Sequence, residues 1–161
     1  MEKTDIRLMI GDIKFSARAV AVIVQNDKIL FQKRKGDEYW ALPGGAIATM
    51  ETGEEVVLRE LEEETGEVNA KVTRPLWFSE YFFEFGGKKQ HQYILGYLVS
   101  LPEDSKIVKN DEFDGIEEGK NIIYKWINIK DIETSPIKPD FLKNKLLNIN
   151  PQYEFIMEKQ I

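Results

Sequence analysis

The chain has no cysteine and a single histidine, His91, among its 161 residues. Disulfides, thiolate catalysis and cysteine-ligated zinc are therefore excluded. Long hydrophobic runs are missing as well. The longest early apolar stretch, Ala19 to Val24, is far too short for a signal-peptide core or a membrane span, so a cytoplasmic protein with no membrane association is expected. No basic stripe is present, and a net charge of −6 argues against a dedicated nucleic-acid binder while leaving single anionic nucleotides as ligands. What is there, 42% hydrophobic and 31% charged residues, suits one soluble globular domain long enough to bury a core.

The acidity is not spread evenly. Between Glu51 and Glu67 lie eight glutamates, one arginine and neither aspartate nor lysine, a local charge of −7 against −6 for the whole chain. Thr52 and Glu55 have the spacing of a capping box, and Gly66 suits the left-handed residue that closes a last turn, which predicts a helix from about Gly53 to Thr65. A projection at 3.6 residues per turn puts Val57, Leu58, Leu61 and Thr65 on a core face. Glu60, Glu63 and Glu64 fall on the opposite face, Glu62 points to solvent and Glu55 belongs to the cap.

Like charges three and four residues apart each destabilise a helix by about 0.2–0.5 kcal/mol, and glutamates near its C-terminus oppose the dipole. A charge run of this kind is usually a solvated face, but here no lysine relieves it. Such a conflict between local rule and sequence marks a functional site. Clustered oxygen ligands without His or Cys suit Mg²⁺, Mn²⁺ or Ca²⁺.

Around this helix the pattern alternates strands and turns. Ala17–Val24 and Ile29–Phe31 flank a turn at residues 25–28, and Trp40-Ala41-Leu42 reads as a short strand ended by Pro43-Gly44-Gly45. Lys33, Arg34 and Lys35 either contact substrate phosphates, with Arg34 best suited to a bidentate grip, or form a solvated hairpin end. Gly44-Gly45 either makes a turn or lets main chain approach a ligand, which makes Gly45 a substrate-binding candidate. Residues 77–85 and 90–99 flank a second hairpin turn, and the first arm is rich in aromatics. One alternate set is expected to serve the core, leaving the other to stack a base or to form a homodimer interface. His91 reads as a hydrogen-bonded strand residue rather than a catalyst. Leu101 to Gly119 reads as a mobile acidic loop, Ile122 to Ile129 as a strand and Pro139 to Leu147 as a helix.

Taken together, Gly45, Glu51, Arg59, Glu60, Leu61, Glu63, Glu64 and Gly66, preceded by Trp40-Ala41-Leu42-Pro43-Gly44, resemble the signature box of the Nudix hydrolases. Glu67 departs from the aliphatic residue usual after the final glycine, and Met50 from the glycine usual before the first glutamate. The resemblance implies an α/β fold, an α/β/α sandwich with a mixed β-sheet, in a single domain over residues 1–161. It implies hydrolysis of a nucleoside diphosphate-linked substrate with Mg²⁺ or Mn²⁺, the cation being held by Glu60, Glu63, Glu64 and the Gly44 carbonyl. Arg59 would hold Glu51, or in its place Glu54, and the general base would be Glu60, Glu63 or one of the downstream acids Glu112, Glu117 and Glu118. A nucleotide-sensing domain of the same fold that does not cleave its ligand is the alternative. The proline typical of ADP-ribose-cleaving members is absent near Phe83, so the substrate is left open among triphosphates, dinucleotides and sugar nucleotides.

Overall fold

The structure, a computed structural model, describes residues 2–161. Strands β2 (Ile13–Gln25) and β3 (Lys28–Arg34) form the expected hairpin. Asn26 and Asp27 turn it with φ of 51° and 61°, a two-residue turn whose twist matches the strands it joins. Only Val24–Ile29 and Gln25–Lys28 pair before the strands part. Strand β4 (Gly44–Ala46) takes the vacated side of β2, pairing from Val20 down to Arg18. The strand expected at residues 40–42 is thus displaced toward the glycines, and Trp40 and Ala41 make only single bridges, to Ile137 and Gln32. Glycine at position 44 is a packing requirement, since a Cβ there would lie 2.1 Å from the Ala19 carbonyl oxygen.

Strands β5 (Lys71–Phe85) and β6 (Lys88–Ser100) are the second hairpin, turned by Gly86 and Gly87 at φ of 60° and 75°. β6 runs parallel to β2 from Ile13–Lys89 to Ile23–Val99, which makes the sheet mixed. With β7 (Glu112–Asp114), β8 (Ile122–Asn128) and β9 (Glu154–Lys159) the order is β7-β8-β3-β2-β6-β5-β9. Strand β1 (Arg7–Ile10) pairs with β2. Neither β1 nor β9 was expected from the sequence. All of β1 and half of β9 are exposed, so burial leaves only a weak signature in their residues.

Helix α1 (Gly53–Thr65) packs Val56, Val57 and Leu61 against Ala19, Ala21 and Ile23 on one face of the sheet. Against the other face lie Ile132, Ile137, Leu142 and Leu146, packed on Val22, Phe31 and Trp77. The result is the α/β/α sandwich around a mixed sheet. The helix expected over residues 139–147 shrinks to one turn, α2 (Leu142–Lys145), tied down by the buried Leu142 and Leu146. The stretch from Leu101 to Gly119 is not a bare loop. Ile107 is buried with its carbonyl accepting the Trp126 indole N–H at 2.8 Å, and β7 pairs with β8. Among the described residues no helix is long and apolar enough to cross a membrane.

The close approach of β4 to β2 gives a direct test. Gly44→Ala pushes a methyl group into main chain that cannot rotate away, and overpacking of this kind costs about 1–3 kcal/mol. Thermal melting should show a clear loss of Tm, and an unchanged Tm would contradict the register described.

Candidate active site

Helix α1 begins and ends where its sequence dictates. The Thr52 hydroxyl accepts the Glu55 N–H at 3.2 Å and the Glu55 carboxylate accepts the Thr52 N–H at 2.8 Å. At the other end Gly66 adopts φ of 80° and donates its N–H to the Glu62 carbonyl at 2.9 Å. Glu67, unusual at its position, is held by the Ser105 hydroxyl and by the Asn69 N–H.

The division of faces differs from the one expected. Val56, Val57, Glu60, Leu61 and Glu64 are all buried, whereas Glu62 and Glu63 are exposed. Two of the acids therefore share the apolar face instead of opposing it. They are accommodated because α1 lies across the split in the sheet, beside β4, where Gly45 has no side chain. A Cβ at Gly45 would fall 2.4 Å from the Glu60 Oε1.

Arg59 organises the helix acids. Its Nε and Nη2 each donate to one oxygen of Glu51 at 2.8 Å, a bidentate fork on a carboxylate only 2% exposed. The partner of Arg59 is thus Glu51 and not Glu54. The remaining Nη1 donates to Glu60 at 3.1 Å and to Glu63 at 3.2 Å. The fork, outweighing burial, holds the Glu51 carboxyl below its ordinary range and raises Arg59 in turn. Glu60 is pushed up to about 7, first by burial and then by the neighbouring charge of Glu64.

Glu64 has partners that the sequence did not announce. The Tyr124 hydroxyl on β8 donates to it at 2.5 Å and the Lys120 ammonium at 3.1 Å. Burial and Glu64 together raise the Tyr124 hydroxyl. Burial works against the Lys120 charge, yet its bonds to Glu117 and Glu64 hold it above its usual value. Lys120 also pairs with Glu117 at 3.1 Å, so of the three downstream acids only Glu117 is drawn to the helix. Glu112, at the start of β7, and Glu118 are exposed. The Ile116 N–H donates to the Glu64 carbonyl at 2.8 Å, stapling this loop to the last turn of α1. Among the described residues, no three carboxylates or imidazoles converge closely enough to enclose an ion. Glu60 and Glu64 are the adjacent buried oxygen donors, and Glu63 is turned toward Arg59.

A cavity of about 670 Å³ opens on the opposite face of β2, lined by Arg18, Trp77, Tyr81 and Phe83 and closed by Tyr39 and Phe141. One aromatic set of β5 thus faces this cavity. The other set, Phe78 and Phe82, packs with Tyr93 and His91 on the far side of the sheet. His91 is stacked on Phe82 at 4.4 Å with its Nε2 buried and unpaired among the described residues, so the hydrogen-bonded strand residue expected is an aromatic packing residue instead. Arg34 is exposed at the end of β3 and neither lines the cavity nor bonds an acid of α1. Two basic residues do line the cavity, Lys138 and Arg18, and Arg18 was legible as the one charge inside an apolar strand. Tyr124 and Lys120 carry no local signal, because their role depends on the pairing of β8 with β3.

The environment of Glu60 has a signed consequence. Its value in the fold, about 7, lies above the ordinary 4.5, so the folded protein keeps a proton that the unfolded chain releases. Stability is therefore lost as pH rises from 4.5 to 7, by up to about 3 kcal/mol. In chelator, Glu60→Gln should melt above the wild type at pH 8 and converge with it near pH 4.5. Parallel melting curves across that range would refute the burial assigned to this carboxylate.

A family model described as the NUDIX domain matches residues 15–145. The chain is 31% identical over 115 residues to the RNA pyrophosphohydrolase of Actinobacillus pleuropneumoniae, a match spanning 60% of this chain and 55% of that protein. It is 48% identical over 48 residues to the ADP-ribose pyrophosphatase of Methanocaldococcus jannaschii, covering 28% of each. The chain thus spans about half the length of the RNA pyrophosphohydrolase that it matches and about a quarter of the second relative. In fold it is similar to a Nudix hydrolase from Nitrosomonas europaea, with a TM-score of 0.63 at 14% identity over 90% of this chain and 79% of that one. It also resembles an ADP-ribose pyrophosphatase from Streptococcus suis, with a TM-score of 0.60 at 16% identity over 89% and 98%. A family match that runs over most of the chain and takes in α1, its flanking glycines and β8 makes this protein a member of the Nudix family.

Proposed function

We propose that the protein is a metal-dependent pyrophosphatase that hydrolyses a phosphoanhydride bond in a nucleoside diphosphate-linked substrate, with Mg²⁺ or Mn²⁺ as cofactor. The observation that carries this reading is the buried pair Glu60 and Glu64, packed beside the side-chain-free Gly45. Two adjacent carboxylates in a poorly solvated place favour a cation as their counter-charge, and an all-oxygen donor set suits a hard one. Glu60, Glu64 and the Gly44 carbonyl are the ligands assigned to it. Glu63, exposed on the next turn, is the peripheral fourth. Mg²⁺ ordinarily keeps waters and shares its shell with substrate phosphates, so two buried carboxylates and a carbonyl suffice as a protein share. When bound, the cation neutralises the phosphate oxygens and activates the attacking water.

The chain's own residues do the rest. Arg59 is a positioning residue, locking Glu51 in a fork and holding Glu60 and Glu63 by its third nitrogen. Glu117 is the acid of the 101–121 segment that we assign to accept the water proton, because Lys120 tethers it beside Glu64. Glu60 and Glu63 are the helix alternatives for that role. Relatives named as pyrophosphohydrolase and pyrophosphatase support the reaction class. A nucleotide-sensing domain would have no need of the Arg59 fork or of two buried carboxylates.

Two measurements test the reading. Release of phosphate or nucleoside monophosphate from a panel of triphosphates, dinucleotides, sugar nucleotides and a 5′-triphosphorylated oligoribonucleotide should require Mg²⁺ or Mn²⁺. Glu64→Gln should lower it by on the order of 100-fold or more, and Arg59→Lys by roughly 10- to 100-fold. Equal rates in wild type and Glu64→Gln would sink the assignment. Mg²⁺ at about 100 times its Kd should also stabilise the wild type by about 2.7 kcal/mol through mass action, and the Glu64→Gln variant by much less.

A further inference from the structure

Arg18 sits in the middle of β2, opposite Ala46 on one neighbouring strand and Ile94 on the other. From Ser16 to Ile23 it is the only charged residue in the strand. Among the described residues its guanidinium makes neither an ion pair nor a hydrogen bond. Burial lowers its pKa first and Arg7 lowers it further, while Glu60, Glu64 and Asp5 act on it only through space. A guanidinium carries five donors in a planar fork, and leaving such a group partly buried without an acceptor is costly. It lines the cavity of about 670 Å³ together with Trp77, whose indole N–H is buried and also unpaired. The Trp77 N–H is sealed against Gly96 of β6, so the donor group in this space that lacks an acceptor is the Arg18 guanidinium, on a wall of aromatic and aliphatic side chains.

The geometry points to Arg18 as the residue that grips the phosphate nearest the nucleoside, while the uncharged nucleoside end fills the cavity against Trp77, Tyr81 and Phe83. This deepens the function proposed above and rests on it for the position of the scissile bond. Charge fixes the orientation. The cavity rim carries Asp37, Glu38 and Glu84 against Lys138, so it repels an anionic end and admits a neutral ring. Arg18 lies at the junction between the cavity and the acids of α1, where it feels Glu60 and Glu64. A substrate so held presents its nucleoside to the aromatic wall, one phosphate to Arg18 and the next phosphorus to the cation site. Arg18 is then a specificity residue that selects a phosphate directly attached to an uncharged aromatic nucleoside.

The test separates binding from turnover by working in chelator. Calorimetry is run with the four nucleoside 5′-monophosphates and the four parent nucleosides on wild type, Arg18→Met and Arg18→Lys. For at least one pair, the wild type should bind the monophosphate at least tenfold more tightly than the nucleoside. In Arg18→Met that ratio should collapse to within twofold while nucleoside affinity stays the same, and Arg18→Lys should keep part of it. Because an unpaired cation is removed, the Tm of Arg18→Met should equal or exceed that of the wild type. A ratio unchanged in Arg18→Met, a wild type that does not distinguish nucleotide from nucleoside, or one that binds neither would each overturn the proposal. Failure of Arg18→Met to fold would overturn it too, since an anion-receiving arginine is dispensable to the free protein. Selective binding without any hydrolysis over the panel would leave Arg18 as a phosphate anchor and remove the catalytic reading alone.

Discussion

Glu60 and Glu64 occupy consecutive turns of the buried face of α1, and the rest of the site is arranged around the cost of holding two carboxylates there. Each is relieved differently. Glu64 takes a hydroxyl from Tyr124 and an ammonium from Lys120, so its charge is well solvated by protein. Glu60 shares one nitrogen of Arg59 and is left raised toward neutrality by burial and by Glu64. The asymmetry matters because one carboxylate is settled and the other is not. On the proposed reading a cation would gain most from Glu60 and would find Glu64 already oriented by two partners, from β8 and its preceding loop.

The sheet makes this arrangement available by coming apart. β2 and β3 pair at their turn and then separate, and β4 enters with two glycines that let main chain lie against both β2 and the Glu60 carboxylate. Because side chains alternate along a strand, β2 serves two functions from adjacent positions. Ala19 and Ala21 pack beneath α1, while Arg18 and Val20 face the aromatic cavity. A short stretch of one strand therefore joins an acidic face to a cationic, aromatic one.

What the sequence disclosed followed from local chemistry. The capping box, the left-handed glycine, both hairpin turns and the Arg59-bearing acid cluster are interactions between residues at most eight apart, and all stand where expected. The departures arose where tertiary context overrides local pattern. At 3.6 residues per turn Glu60 and Glu64 lie within about 60° of Val57, so it was the expectation that acids seek water, and not the helical spacing, that set them on the opposite face. Nothing in a single sequence shows that Tyr124, on a strand sixty residues away, would meet Glu64 inside the protein. Strands β1 and β9 were invisible because they are held largely by main-chain pairing with little burial. Arg34 stood out because charges cluster around it, whereas Arg18, an isolated charge in an apolar strand, was passed over, and the structure puts Arg18 and not Arg34 in the wall of the cavity.

The local charge of −7 also takes on a different meaning once its contacts are known. Arg59 and Lys120 lie among the acids, and the capping glutamate is occupied by the Thr52 N–H. Of the eight glutamates, Glu62 makes no ion pair among the described residues and Glu67 is occupied by Ser105 and Asn69, both outside the cluster. Glu54, like Glu62, is exposed and makes no ion pair among the described residues, so much of the excess charge is carried in solvent, while the buried pair is compensated from three separate elements: α1 itself, the loop preceding β8, and β8. A cluster neutralised from so many directions is rigid in its carboxylate positions, because moving one acid unpairs a donor on another element. That rigidity turns a run of glutamates, which on an isolated helix would only repel one another, into carboxylates held at fixed places, as the proposed cation site requires.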